Sequence, residues 1–127
     1  MMILVVGSPD SGKSVKAEEL AVELSGNEKK IYLATMIPFG EEGAARVEKH
    51  RALRNGKGFV TVERPLNVGS LPDSEGFIEG IRAEEATVLL ECAANLCANV
   101  MFAVGRGVDA KSPEETAEIV TEYILRL

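Results

Sequence analysis

A parallel β-sheet with helices on both faces is the architecture this sequence predicts, and three observations carry it. Short apolar runs alternate with longer segments of helical periodicity, the pattern of strand–helix–strand crossovers. The first run, Ile3-Leu4-Val5-Val6, shows no polar alternation, as suits a strand covered on both faces. The turn after it reads Gly7-Ser8-Pro9-Asp10-Ser11-Gly12-Lys13-Ser14. That is the G-x-x-x-x-G-K-S phosphate loop in its required place between strand and helix. The expectation is a three-layer α/β fold of the phosphate-loop NTPase kind, with residues 1–127 forming one nucleotide-binding domain.

Each element has a local reason. Ile3–Val6 reads as the first strand. Lys13 to about Ser25 reads as a helix, because Ala17, Leu20, Ala21 and Leu24 recur at three- and four-residue spacing and Ser25-Gly26-Asn27 ends the run. Ile31–Ala34 is a second buried strand. Gly40 to about Arg54 is a charged helix. Phe59–Val62 follows the Gly56-Lys57-Gly58 turn as a third strand. Glu63 to Pro72 reads as loop, broken by Pro65 and Pro72. Asp73 caps a short helix to about Ala83. Thr87–Leu90 is the fourth strand. Ala93 to Val104 is apolar nearly all round, which predicts a buried helix. Gly105 to Lys111 is a turn region. The last helix opens on Ser112-Pro113-Glu114-Glu115, a capping box with Pro at the first helical position.

Composition narrows the function classes. The chain has 127 residues, 46% of them apolar, and a net charge of −6. An acidic balance argues against a general nucleic-acid or anionic-membrane surface, so any anion site must be a local cationic cluster. No apolar run approaches the length of a membrane span. No basic leader region precedes the first strand, so the expected location is the cytoplasm. Cys92 and Cys97 are five apart, a spacing that fits neither a redox C-x-x-C nor a usual zinc pair. They read as small buried hydrophobes.

Ligands in parallel α/β sheets sit at the carboxyl ends of the strands. Gly7, Ala34-Thr35 and Glu91 occupy those ends. In the loop, successive main-chain amides converge on one anion and the helix adds its positive N-terminal end. Lys13 reaches the terminal phosphates, and Ser14 is placed to hold Mg²⁺. Glu91 is the strand-end acid expected to orient that ion; the plainer alternative is a carboxylate that caps the next helix. Arg46, His50 and Arg54 are four apart on one helix face, with Lys49 and Arg51 beside it. A cationic stripe can take nucleotide phosphates, and histidine can act as a covalent nucleophile toward phosphorus. The plainer alternative is a solvated charged face with a surface histidine.

Five segments occur in one order: the loop of residues 7–14, Tyr32-Leu33-Ala34-Thr35, Arg46-Val47-Glu48-Lys49-His50-Arg51, Thr61-Val62-Glu63-Arg64-Pro65, and Leu89-Leu90-Glu91-Cys92 followed by Asn99. In these the chain resembles the adenosylcobinamide kinase / adenosylcobinamide-phosphate guanylyltransferase family of cobalamin biosynthesis, from Met1 to about Phe102. The resemblance implies a RecA-like sheet, a homotrimer, and a two-step activity. A nucleotide γ-phosphate passes to the hydroxyl of the aminopropanol arm of adenosylcobinamide. GTP then guanylylates a histidine, and the GMP moves to the phosphorylated substrate. By the same resemblance His50 is the guanylylated residue; Lys13, the lysine of the matching phosphate loop, is the other expected catalytic residue. Gly7, Ser8, Pro9, Asp10, Ser11, Gly12, Lys13, Ser14, Ala34, Thr35, Met36, Arg51, Arg54, Glu63 and Glu91 are then nucleotide-binding, Ser14 and Glu91 metal-binding, and GTP or ATP with Mg²⁺ the cofactors.

The departures are specific. Family loops usually read G-G-x-R-S-G-K-S, where this chain has Ser8 and Asp10. The family's paired arginines after the histidine become Leu53-Arg54, and a usual Trp becomes Phe59. The family also continues past the point where this sequence stops, so the expectation is a C-terminally short member. Two competing readings remain at this level: a degenerate nucleotide-binding module without transfer chemistry, and an unrelated small phosphate-loop kinase.

Overall fold

The computed structural model describes residues 1–70, 86–102 and 111–127. The helix expected from Asp73 to Ala83 and most of the turn after Val104 lie outside the described residues. The elements run α1 (Lys13–Ser25), β1 (Lys29–Ala34), α2 (Gly40–Arg54), β2 (Phe59–Glu63), a 3-10 turn (Val68–Ser70), β3 (Ala86–Glu91), α3 (Ala93–Met101) and α4 (Pro113–Leu125).

The three strands form one parallel sheet in the order β2-β1-β3. Parallel neighbours need a crossover, and α2 supplies the one between β1 and β2. The charges of α2 suit its direction. Glu41 and Glu42 lie in its first turn and Arg51 and Arg54 in its last, complementing the helix dipole. For α4, both bonds of the expected capping box form: Glu115 N donates to Ser112 Oγ at 3.2 Å, and Ser112 N donates to Glu115 Oε2 at 3.3 Å.

Register divides the sheet into two chemically different faces. Leu33 pairs with Val62 and Leu90, and these three pack into a core with Val68, Leu96, Val100 and Val120. That face is covered by α3, α4 and the 3-10 turn. Side chains alternate along a strand, so Tyr32, Ala34, Phe59, Thr61, Glu63 and Glu91 share the opposite face. The final row across the sheet is Glu63–Ala34–Glu91. Three expected site residues thus stand side by side at the carboxyl edge.

That edge is cross-braced. Thr35 N donates to Glu91 O at 3.0 Å. Thr35 Oγ1 donates to Cys92 O at 2.8 Å and accepts from Cys92 N at 2.9 Å. Arg64 N donates to Ala34 O at 2.8 Å. Asn99, buried on α3, donates from Nδ2 to Thr35 O at 2.7 Å and to Pro65 O at 2.8 Å.

Three expectations are corrected. Ile3–Val6 joins no ladder, and Ile3, Leu4 and Val6 are 50%, 82% and 81% exposed. An apolar run becomes a strand only where another strand pairs with it, and the ladders among the described residues are those of β1 with β2 and β3. The apolar stripe of α1 is also rotated: Ala21 is buried, but Leu24 is 47% exposed while Glu18 and Ser25 are buried. Glu18 tolerates burial because Lys57 pairs with it at 2.8 Å. The two cysteines are free and half-buried rather than fully enclosed, and Cys92 Sγ accepts from Asn95 N at the start of α3.

Candidate active site

The loop between residue 7 and α1 is built from turns. Asp10 and Gly12 have φ of 57° and 83°, the left-handed region in which glycine is at ease and aspartate tolerable. Alternation with such residues is what turns successive amides toward one point. Gly12 is the N-cap of α1, and no side chain caps that helix, so the donors of its first turn carry no capping bond. Gly7 is closely approached: a Cβ there would stand 2.5 Å from Ser11 Oγ and 3.3 Å from Lys13 Cβ, so a side chain would make both neighbours shift. Lys13 is half-buried, and its Nζ donates back to Ser8 O at 3.1 Å. Ser8, Pro9, Asp10 and Ser11 are exposed.

One carboxylate ties this loop to the sheet. Ser14 Oγ donates to Glu91 Oε1, across 77 residues of sequence. The other oxygen, Oε2, accepts from the Tyr32 hydroxyl at 2.5 Å. Tyr32 is 4% exposed. Burial first, and then the bond to Glu91, hold its phenol far above its ordinary range, so it stays a proton donor. The Tyr32 ring meets the edge of Phe59, with centroids 6.2 Å apart. Arg54 lies over its face, with Cζ 3.5 Å from the centroid, a cation–π stack.

Arg54 brings α2 into the site. The helix is exposed along most of its surface, and Gly43, Val47, His50 and Arg54 form the less exposed stripe. His50 and Arg54 therefore share one face, as expected, whereas Arg46 is exposed and belongs to the outer side. Arg54 is 7% exposed. Its Nη2 reaches Thr61 Oγ1 at 3.5 Å, and its Nε and Nη1 are buried without a hydrogen-bond partner. His50 Nδ1 is likewise buried and unpartnered. Among the described residues no hydrogen bond or ion pair joins His50 to the Gly7–Ser14 loop. Arg51 pairs with Glu63 at 2.6 Å, with both side chains about half exposed or more, a contact weak enough to be exchanged. Ala34 and Met36 are half-buried beside this edge. Thr35 is wholly buried, with N, Oγ1 and O all bonded to protein, which makes it a brace beneath the site.

The structure thus brings Ser14, Glu91, Tyr32 and Arg54 into one contact chain, with Arg51 and Glu63 paired at the far end of the same row. Sequence reasoning assigned no role to Tyr32 or Thr61. The signal was available: both precede strand-end residues by two positions, so each shares a face with its strand's last residue.

Comparison with known proteins gives the family. Residues 3–125 match the family model described as cobinamide kinase / cobinamide phosphate guanyltransferase. The bifunctional adenosylcobalamin biosynthesis protein CobU of Escherichia coli is 36% identical over 115 residues, covering 91% of this chain and 56% of that protein. Its namesake in Salmonella typhimurium is 33% identical over 105 residues, covering 83% of this chain and 52% of that protein. The chain spans about half the length of these curated relatives. No solved structure matches it. On the strength of a match over nearly its whole length, the chain belongs to the cobinamide kinase / cobinamide phosphate guanyltransferase family.

Proposed function

We propose that this chain binds GTP or ATP with Mg²⁺ at the Gly7–Ser14 loop and performs the two reactions for which its relatives are named. The observation that carries this is the Ser14–Glu91 hydrogen bond. It sets the hydroxyl of the phosphate-loop signature against a strand-end acid, the arrangement that phosphate-loop enzymes use around a nucleotide-bound metal. The fold is then a three-layer RecA-like NTPase fold, and residues 1–127 act as one nucleotide-binding domain. A cytoplasmic homotrimer acting on an adenosylcobinamide-type small molecule completes the proposal; among the described residues no helix is long and apolar enough to cross a membrane.

The donors present suit Mg²⁺. They are hard oxygens, a hydroxyl and a carboxylate, and a cation of this kind takes one or two protein oxygens and completes its shell with phosphates and water. Because the Ser14 proton points to Glu91, the lone pairs of Ser14 Oγ are open. Bound there, Mg²⁺ would neutralise charge on the phosphates.

The chain's own groups divide the remaining work. Main-chain amides of residues 7–14 hold the phosphates, and Lys13 exchanges Ser8 O for a phosphate oxygen. In the first reaction the substrate hydroxyl attacks the γ-phosphorus: a P–O bond forms as the β–γ P–O bond breaks, the hydroxyl proton passes to solvent, and the nucleoside diphosphate departs. In the second an imidazole nitrogen of His50 attacks the α-phosphorus of GTP. A P–N bond forms as the α–β P–O bond breaks, and pyrophosphate departs. The phosphate of the phosphorylated substrate then displaces the imidazole and takes the GMP. Arg51, Arg54 and Glu63 hold the nucleotide, with Arg51 released from its surface pair. The unpartnered nitrogens of His50 and Arg54 support an anion on this face of α2. Intact-mass measurement after incubation with GTP and Mg²⁺ tests the reading. A GMP adduct that disappears in His50→Ala supports it, and an adduct that survives this change, or no adduct, rejects the transferase step.

A second reading, a nucleotide-binding module without transfer chemistry, is favoured by one observation: no bond joins His50 to the loop. Nucleotide binding by calorimetry without turnover would support it.

A further inference from the structure

We infer that Tyr32 is a positioning residue for the Glu91 carboxylate, and that Arg54 clamps Tyr32 so that the seat of the histidine helix and the aim of the metal-site acid are set together. The inference rests on the proposed function, since it assigns Glu91 to the metal.

A glutamate has three side-chain torsions, and at the end of a strand its carboxylate can swing. Here each oxygen has its own donor: Ser14 on Oε1 and Tyr32 on Oε2. Two donors on two oxygens fix both the direction and the plane of the carboxylate. Groups that hold a metal ligand in this way tune its affinity. Packing alone does not explain the hydroxyl. Phenylalanine would fill the same buried space against Phe59, and among the described residues the one bond made by the Tyr32 hydroxyl is to Glu91.

Tyr32 is itself held from above. Arg54 lies on its ring at 3.5 Å, and its guanidinium is nine-tenths buried with one long bond to Thr61. The ring face therefore meets the buried charge of Arg54. Arg54 is the last residue of α2, one turn from His50 on the same inward stripe. The phosphate-loop hydroxyl, the strand-end acid, the tyrosine, the arginine and the histidine helix are contiguous. A displacement of α2 that lifts Arg54 removes the ring's cover and loosens the second donor on Glu91.

The test uses the full chain, Mn²⁺ as the metal probe, and guanosine 5′-(β,γ-imido)triphosphate as the nucleotide. Mn²⁺ affinity is read by electron paramagnetic resonance, and nucleotide affinity is read separately without metal. Tyr32→Phe should weaken Mn²⁺ binding about tenfold, the low end for a partner of a metal ligand, with metal-free nucleotide affinity unchanged. Arg54→Met leaves the hydroxyl in place and frees the ring. With the nucleotide saturating, so that Arg54's own hold on the nucleotide does not enter, it should weaken Mn²⁺ in the same direction, and the double variant should lose no more than Tyr32→Phe alone. Arg54→Met also carries the test by itself should Tyr32→Phe fold poorly. Glu91→Gln is the control for the functional reading. A loss in Glu91→Gln with none in Tyr32→Phe overturns this inference alone. Additive losses overturn the clamp. No loss in Glu91→Gln overturns the metal site and this inference with it.

Discussion

Asn99 is the residue through which the braced edge can be tested. Its Nδ2 joins Thr35 O and Pro65 O, the first position beyond β1 and the second beyond β2, where the site's loops begin. Asn99→Leu keeps the bulk and removes both bonds. Thr35 is fully buried, so its carbonyl would lose a partner that water cannot replace, at about 1–3 kcal/mol. Pro65 is exposed, so water can recover most of that bond and the added cost is under about 1 kcal/mol. The sum is about 1–4 kcal/mol. For 127 residues, an unfolding entropy of about 2.1 cal/mol/K per residue converts this to a fall of about 4–15 °C in Tm. Asn99→Asp sharpens the test. It places a carboxylate against two carbonyls, which raises the folded-state pKa of that acid. Its destabilisation then grows as pH rises above the unfolded value of about 3.9 and is relieved below it. Thermal melts from pH 4 to 8 should show an Asn99→Asp deficit that widens with pH and an Asn99→Leu deficit that does not. A change of less than 2 °C in Asn99→Leu, or parallel pH profiles, would refute the brace.

Other predictions follow from the same contacts. Lys57→Met leaves Glu18 buried without its cation; breaking a buried pair costs about 3–5 kcal/mol, and the partial exposure of Lys57 places the expected loss in urea unfolding at the low end. Tyr32 adds an alkaline limit to stability. Its folded pKa lies above the unfolded value near 10, so its contribution is complete below pH 10 and is lost as pH rises beyond it. Tyr32→Phe should flatten the fall in Tm above that pH, while an equal fall in both proteins would contradict the buried bond. Ser112→Ala removes the α4 cap and should cost about 1 kcal/mol in chemical denaturation. Under the proposed function, Lys13→Ala should lower phosphoryl-transfer turnover by about 10²-fold, as loss of one preorganised charge at a transferring phosphoryl group does, with the melt unchanged.

Local chemistry explains which parts were readable from sequence. α1 and α2 carry their bounds in punctuation, Gly12 and Gly26 around one and Gly40 and Asn55 around the other, and the structure keeps them. The capping box of α4 is a contact within four residues and needs no tertiary context. The strands come out one or two residues longer because a ladder continues while its partner does. Ile3–Val6 failed as a strand because pairing is a property of two segments and its apolar character concerns only one. Glu91 was readable as a strand end, but its two donors come from residues 14 and 32, which only the folded register brings together. Arg46, His50 and Arg54 were placed on one face by spacing, yet how α2 is rotated against the sheet decides which of them turn inward. That rotation is set where Arg54 meets Tyr32 and Thr61, a contact without a local signature.

The central claim is that the Ser14–Glu91 corner holds the metal of a nucleoside triphosphate. A crystal structure of the full chain with guanosine 5′-(β,γ-imido)triphosphate and Mn²⁺, phased on the metal's anomalous signal, tests it most directly. A single metal peak bonded to Ser14 Oγ beside Glu91 is expected, with the phosphates cradled by residues 7–14. A nucleotide bound elsewhere, or a metal peak away from both residues, would contradict it.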